Sequence, residues 1–186
     1  MLNAIKDRAL ELVEGQSYSQ LMAMISEVYD QNIKARVWPE TARIAQQHID
    51  AGREVWIISA APQEMGEEIA RRLGLTGALG TRLVQVDGIL TGEILGKPLH
   101  GKQKAKAMKK LAKERGISLK RSFAYSDSNN DLPMLSLVGH PVAVNPDKKL
   151  KTYATAAGWK IYDFKRKELR PMKKAVKQEI KIGKRG

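Results

Sequence analysis

Apolar positions at the start of the chain recur at helical spacing. Leu2, Ile5, Ala9, Leu10, Leu12 and Val13 form one set, and Gly15 follows as a stop. Leu21, Met24, Ile25, Val28 and Ile33 form a second over residues 17–34, with Ser17 or Ser19 placed to cap it. Trp38-Pro39-Glu40 interrupts the pattern, and residues 40–51 make a third helix ending at Gly52. The period then changes. Val55-Trp56-Ile57-Ile58 is an unbroken apolar run rich in β-branched residues, which predicts a buried parallel strand. Gln63 to Leu73 is helical and stops at Gly74, while residues 81–96 predict a hairpin with Asp87-Gly88 at its turn.

Strands and helices alternate from there: a helix from Lys104 to Arg115, a strand from Phe123 to Ser126 and a short helix from Leu132 to Leu137. Pro141 to Val144 is a further strand, Asp147 to Ala157 a helix, and Trp159 to Phe164 an edge strand. The alternation predicts an α/β fold with a parallel sheet covered on both faces. The 186 residues suit one domain plus an appendage. A hydrophobic content of 42% with only 5% aromatics requires an aliphatic core. The absence of cysteine excludes a disulfide scaffold, a zinc-thiolate site and a cysteine nucleophile. No signal-peptide pattern and no apolar run of about 20 residues is present, so the expectation is a cytoplasmic protein.

The chemistry concentrates in Tyr125-Ser126-Asp127-Ser128-Asn129-Asn130-Asp131. Two carboxylates four residues apart follow a strand and precede a helix, with small polar residues between them. Loops at the carboxyl ends of parallel strands are where α/β sheets bind ligands, and clustered carboxylates suit a hard cation such as Mg²⁺. Two further elements precede this loop: a strand ending in a hydroxyl, Val55-Trp56-Ile57-Ile58-Ser59, and a lysine at a helix start, Gly101-Lys102-Gln103-Lys104.

In this order the three elements resemble the haloacid dehalogenase superfamily of phosphohydrolases, and within it the phosphoserine-phosphatase-like group with a helical cap. The hairpin Val86-Asp87-Gly88-Ile89-Leu90-Thr91-Gly92 looks like that group's insertion, and the resemblance covers roughly residues 15–164. It implies a Rossmann-like sheet in a three-layer sandwich, with residues 1–39 as a partial helical cap, 40–164 as the core and 165–186 as a tail. It also implies roles. Ser59 would donate to a phosphoryl oxygen and Lys104, 23 residues before Asp127, would neutralise its charge, with Lys102 as the fallback. Asp127 would bind Mg²⁺; Asp131 would support the metal or orient a neighbour; Asn130 would contact the phosphoryl group. Ser59, Lys104 and Asp127 are thus the catalytic candidates, and the substrate is a small phosphorylated molecule. Where the glycine-rich continuation of true phosphoserine phosphatases would stand, the chain has Ser59-Ala60-Ala61-Pro62, so the substrate pocket is expected to differ.

The resemblance also calls for a strand ending in Asp-x-Asp, whose first carboxylate attacks phosphorus and whose second moves the proton. No Asp-x-Asp occurs in the chain. The expectation is an N-terminally truncated phosphatase whose central strand and nucleophile are missing; the alternative is a non-catalytic pseudo-phosphatase or a basic lipid- or nucleic-acid-binding protein.

Charge sharpens the last point. The net charge is +13, of which residues 165–186 carry +8, with ten Lys or Arg and two Glu. Leu169, Met172, Val176 and Ile180 form one apolar stripe there. The readings are a solvated tail or an anchor on an anionic membrane surface, peripheral to the cytoplasmic face. Nucleic acid is disfavoured because no aromatic side chain is interleaved for base stacking.

Overall fold

The computed structural model describes residues 10–165. These fall into two compact units, one reaching to Pro98 and the other spanning Leu99–Lys165. The basic tail and its apolar stripe lie outside the described residues, apart from Lys165, as does most of the first expected helix.

In the first unit, residues 10–13 are helical and helix α1 spans Tyr18–Val28. Ser17 begins α1 with a reciprocal cap: its hydroxyl accepts from the Gln20 backbone N–H at 3.2 Å, and the Gln20 side chain accepts from the Ser17 N–H at 2.8 Å. Leu21 and Ile25 are buried against Leu90, with Val13, Met22, Met65 and Leu83 packed around them. The sequence predicts one helix to residue 34. The α-helix instead stops at Val28 and gives way to a π turn, Tyr29–Ile33, and a 3-10 turn, Lys34–Arg36. Consecutive residues of a regular α-helix point about 100° apart, yet Tyr29 and Asp30 both reach the guanidinium of Arg72, and the helix widens where they do. Helix α2, Pro39–Asp50, follows.

Strand β1, Trp56–Pro62, pairs in parallel with β2, Gly77–Thr81, and helix α3, Gln63–Arg72, joins them. β1 is parallel as expected but half-buried rather than buried, and it runs past Ser59 through an irregularity between Ile58 and Pro62. β2 was not legible as a strand. It is short and rich in small residues, and its pairing is completed by a side chain: Gln63 donates to the Ala78 carbonyl at 2.8 Å and accepts from the Gly80 N–H at 2.6 Å. A Cβ on Gly80 would come within 2.5 Å of the Gln63 Cα, so this close approach requires glycine. Strands β3, Leu83–Val86, and β4, Ile89–Ile94, form the expected hairpin. Both Asp87 and Gly88 have positive φ, as a tight two-residue turn demands. The segment before α1 adds to this hairpin, since Gly15 N–H donates to Leu90 O and Leu90 N–H to Gln16 O.

The second unit holds helix α4, Lys102–Glu114, then parallel strands β5, Phe123–Ser126, β6, His140–Val144, and β7, Lys160–Tyr162, in the order β5-β6-β7. A short helix α5, Leu132–Leu135, lies between β5 and β6, and α6, Lys148–Ala156, between β6 and β7. Ala124, Leu135, Val138, Ala143, Leu150 and Ala154 form its core, with Met108 of α4 packed against them. The core is aliphatic, as the composition requires. The architecture is α/β, with parallel strands joined by helices. No helix among the described residues is long and apolar enough to cross a membrane.

Candidate active site

The strand–loop–helix of residues 123–135 presents its polar residues at the carboxyl end of β5. A 3-10 turn, Asn129–Asp131, folds the loop back, and Ser128 closes that turn by accepting from the Asn130 N–H. Asp131 is thereby buried, at 6% exposure. Its Oδ2 accepts two hydrogen bonds, from Lys104 Nζ at 2.8 Å and from Ser126 Oγ at 2.8 Å. Lys104 reaches it from the first turn of α4, and its side chain keeps 13% of its exposure. The cation and the hydroxyl leave this buried oxygen well satisfied. It also aims an ammonium, which has further donors to spare.

The carboxylate of Asp131 makes no helix-capping hydrogen bond. Its neighbour in the ion pair is Lys104. Asp127 and Asn130 are exposed in the same loop. Ser59 belongs to the first unit, where its hydroxyl accepts from the Ala61 N–H at 3.1 Å. The structure therefore brings Lys104, Asp127, Asn130 and Asp131 into one unit, and Ser59 is positioned by its own strand end.

Two residues of this site were missed in the sequence. Ser126 holds Asp131, and its hydroxyl also accepts from the Ser128 N–H. Asp147 ties the loop to α6: its N–H donates to Asp127 O at 2.7 Å, and its carboxylate accepts from Asn129 N–H at 2.7 Å and Leu150 N–H at 2.8 Å. Those bonds, from Leu150 first and Asn129 second, hold its carboxyl below the usual range. The Asn145-Pro146-Asp147 sequence signals a helix cap, but nothing in the sequence says that the cap also grips the loop.

Mg²⁺ accepts one or two carboxylates and fills its remaining positions with phosphate and water oxygens. Asp127 is exposed and suits such a cation. Asp131 has one oxygen committed to an ammonium and a hydroxyl. No three acidic, histidine or cysteine side chains gather into a cage among the described residues. The loop fits Mg²⁺ as a contributor of one carboxylate.

The chain belongs to the haloacid dehalogenase-like hydrolase family, whose pattern matches residues 2–136. Among curated relatives, it is 52% identical over 158 residues to phosphoserine phosphatase SerB1 of Mycobacterium tuberculosis (strain ATCC 25618 / H37Rv), covering 85% of this chain and 51% of that one. It is 34% identical over 153 residues to a histidinol-phosphatase of Neisseria meningitidis serogroup C (strain 8013), covering 80% of this chain and 69% of the relative. Among solved structures, a protein of unknown function from Bordetella pertussis Tohama I superposes with a TM-score of 0.78 at 28% identity, covering 85% of this chain and 72% of that one. The chain spans about half the length of the first curated relatives it matches.

Proposed function

We propose that the chain carries the phosphate-binding and metal-binding part of a Mg²⁺-dependent phosphomonoester hydrolase that works through an aspartyl-phosphate. The observation that supports it is the Lys104 ammonium, fixed on a buried Asp131 that Ser126 also holds, with donors left over. Lys104 neutralises a phosphoryl oxygen as a point charge. Asp131 and Ser126 keep it from swinging away, and Asp147 holds the loop that presents Asp127 and Asn130. Asp127 would hold Mg²⁺, which supplies charge neutralisation at the phosphoryl group. Ser59 would donate a hydrogen bond to another phosphoryl oxygen. The attacking carboxylate and its acid–base partner come, on this reading, from a segment outside the 186 residues, because those residues hold no Asp-x-Asp.

The names of two relatives support a narrower substrate class. Phosphoserine and histidinol phosphate, named in two of them, share a phosphorylated primary alcohol beside a carbon bearing an ammonium. A small phosphorylated amino alcohol of that kind is the proposed substrate.

The test is calorimetric titration of inorganic phosphate into the chain with and without Mg²⁺. Binding should need Mg²⁺ in the wild type. Lys104→Met should weaken it roughly 10- to 100-fold, the scale of a lost charge-assisted contact, and Asp127→Asn should remove the Mg²⁺ dependence. Phosphate binding that ignores both substitutions would overturn the assignment.

A further inference from the structure

The charge of the molecule divides with its fold. Residues 10–98 hold eight Lys or Arg against twelve Asp or Glu, a formal −4. Residues 99–165 hold fourteen against five, a formal +9. Among the described residues, 10–98 are net acidic and 99–165 strongly cationic.

Helix α4 concentrates that charge. Its inner side carries Ala105 and Ala112, both buried, and Met108, packed on the unit's core. Lys102, Lys106, Lys109 and Lys113 recur at steps of four, three and four on the other side, with Lys110 beside them, and all five are exposed. Only Lys110 meets a carboxylate among the described residues, Glu114 at 3.8 Å. At about 1.5 Å of rise per residue the row extends roughly 16 Å. Like charges at this spacing weaken a helix, so the row is a feature that local stability does not explain.

We propose that this outer face of α4 docks on an anionic phospholipid surface. Three observations favour lipid over nucleic acid. The helix contains no aromatic residue to stack on a base and no arginine to fork onto a base edge. The whole unit uses twelve lysines and two arginines, a point-charge surface suited to diffuse attraction rather than readout. The row is unbroken by apolar side chains, which fits adsorption on headgroups rather than insertion between them. The sequence beyond residue 165 carries the same sign and would add to the attraction.

The experiment is co-sedimentation of the full chain with phosphatidylcholine vesicles with and without phosphatidylglycerol. The wild type should bind only the anionic vesicles and should release in high salt. Each lysine near the surface is worth about fivefold in partitioning, so K106Q/K109Q/K113Q should lower it on the order of 100-fold. Glutamine has nearly the helix propensity of lysine, and an unchanged circular dichroism spectrum would show that α4 persists. K148Q/K149Q on α6 is the control and should cost less than fivefold. Equal binding to neutral vesicles, an unaffected triple variant, or an equal loss per charge in the α6 control would each overturn the proposal. Duplex DNA that displaces vesicles, with the same three lysines required, would replace it with the nucleic-acid reading.

Discussion

Glu68 of the first unit and Asp131 of the second are buried alike, at 5% and 6% exposure, and each holds a cation at 2.8 Å. Their surroundings differ in what happens to the cation. Glu68 takes both forks of Arg71 and the Nε of Arg72. The rest of Arg72 is used as well: it meets Asp30 at 3.3 Å and Ser26 at 2.9 Å, and it lies 5.0 Å from the centre of the Tyr29 ring. All three nitrogens of Arg72 end on protein acceptors, so Arg72 staples α1 to α3, while Arg71, with a side chain 66% exposed, adds its Nε and one Nη to Glu68. Asp131 instead holds a single ammonium of which the described residues use one donor. Burial of an ion pair does not separate a staple from a site. Whether the bridging cation, Arg72 in one case and Lys104 in the other, spends its remaining donors on the protein does.

The largest expected effect tests the closed cluster. Glu68→Ala removes the acceptor of two guanidinia that still reach solvent and should destabilise the first unit by about 2 kcal/mol, the scale of lost charged hydrogen bonds discounted for that exposure. Phosphate affinity, measured at a temperature where the variant is still folded, should not change. A fall in affinity matching the fall in stability would break the comparison, because Glu68 would then serve the site.

Acid gives a second handle on the same group. Hydrogen bonds from Arg71 and then Arg72 hold the Glu68 carboxyl at about 2, below its ordinary 4.5. A depressed carboxyl contributes stability that is fully present above the unfolded value and lost as pH falls through the folded one. The stability difference between wild type and Glu68→Gln, from urea unfolding, should therefore be constant above pH 4.5 and shrink toward pH 2. A gap that persists at the acid end would mean that the ionised carboxylate is not what binds the arginines.

The open pair calls for a gentler substitution. Lys104→Arg keeps a cation for the buried Asp131, so stability should fall far less than in Lys104→Met, which leaves that carboxylate unpaired. The planar fork cannot place a point charge where the ammonium lies, and phosphate binding should weaken about tenfold, a difference of about 1.4 kcal/mol. Full binding by the arginine variant would show that charge alone matters and that the geometry on Asp131 and Ser126 is incidental.

Much of this was legible in the sequence, for identifiable reasons. β5 was read at its observed bounds because an apolar lead-in ends abruptly in small polar residues. The hairpin was read because Asp87-Gly88 supplies two positive φ angles. Local signals of that kind sit within a few residues of what they specify. β2 was invisible because its pairing rests on Gln63, 14 residues before Gly77, and on glycines that ordinarily mark loops. The break in α1 at Val28 was equally hidden, since the contacts made there run to Arg72, 42 residues beyond Asp30. At the site, Lys104 and Asp131 were both singled out, but their pairing was not, and Ser126 and Asp147 were missed. Spacing identifies candidates. Which donor meets which acceptor is decided by how α4, α6 and the loop pack.

The smallest predicted effect resolves an ambiguity that the sequence left open in the first unit. Ser17 and Ser19 were equal candidates to begin α1. In the structure Ser17 has extended backbone angles and its hydroxyl accepts from the Gln20 N–H, while Gln20 answers on the Ser17 N–H. Ser19 lies inside the helix, and its hydroxyl is 2.9 Å from that of Ser17. Ser17→Ala removes the acceptor of an otherwise unpaired helical N–H and should cost about 1 kcal/mol. Ser19→Ala removes only a hydroxyl–hydroxyl contact and raises helix propensity, so the two changes should nearly cancel. Hydrogen exchange at Gln20 and Leu21 reads the difference directly: protection there should drop in the first variant and hold in the second. The reverse order would put the cap at Ser19 and start α1 two residues later.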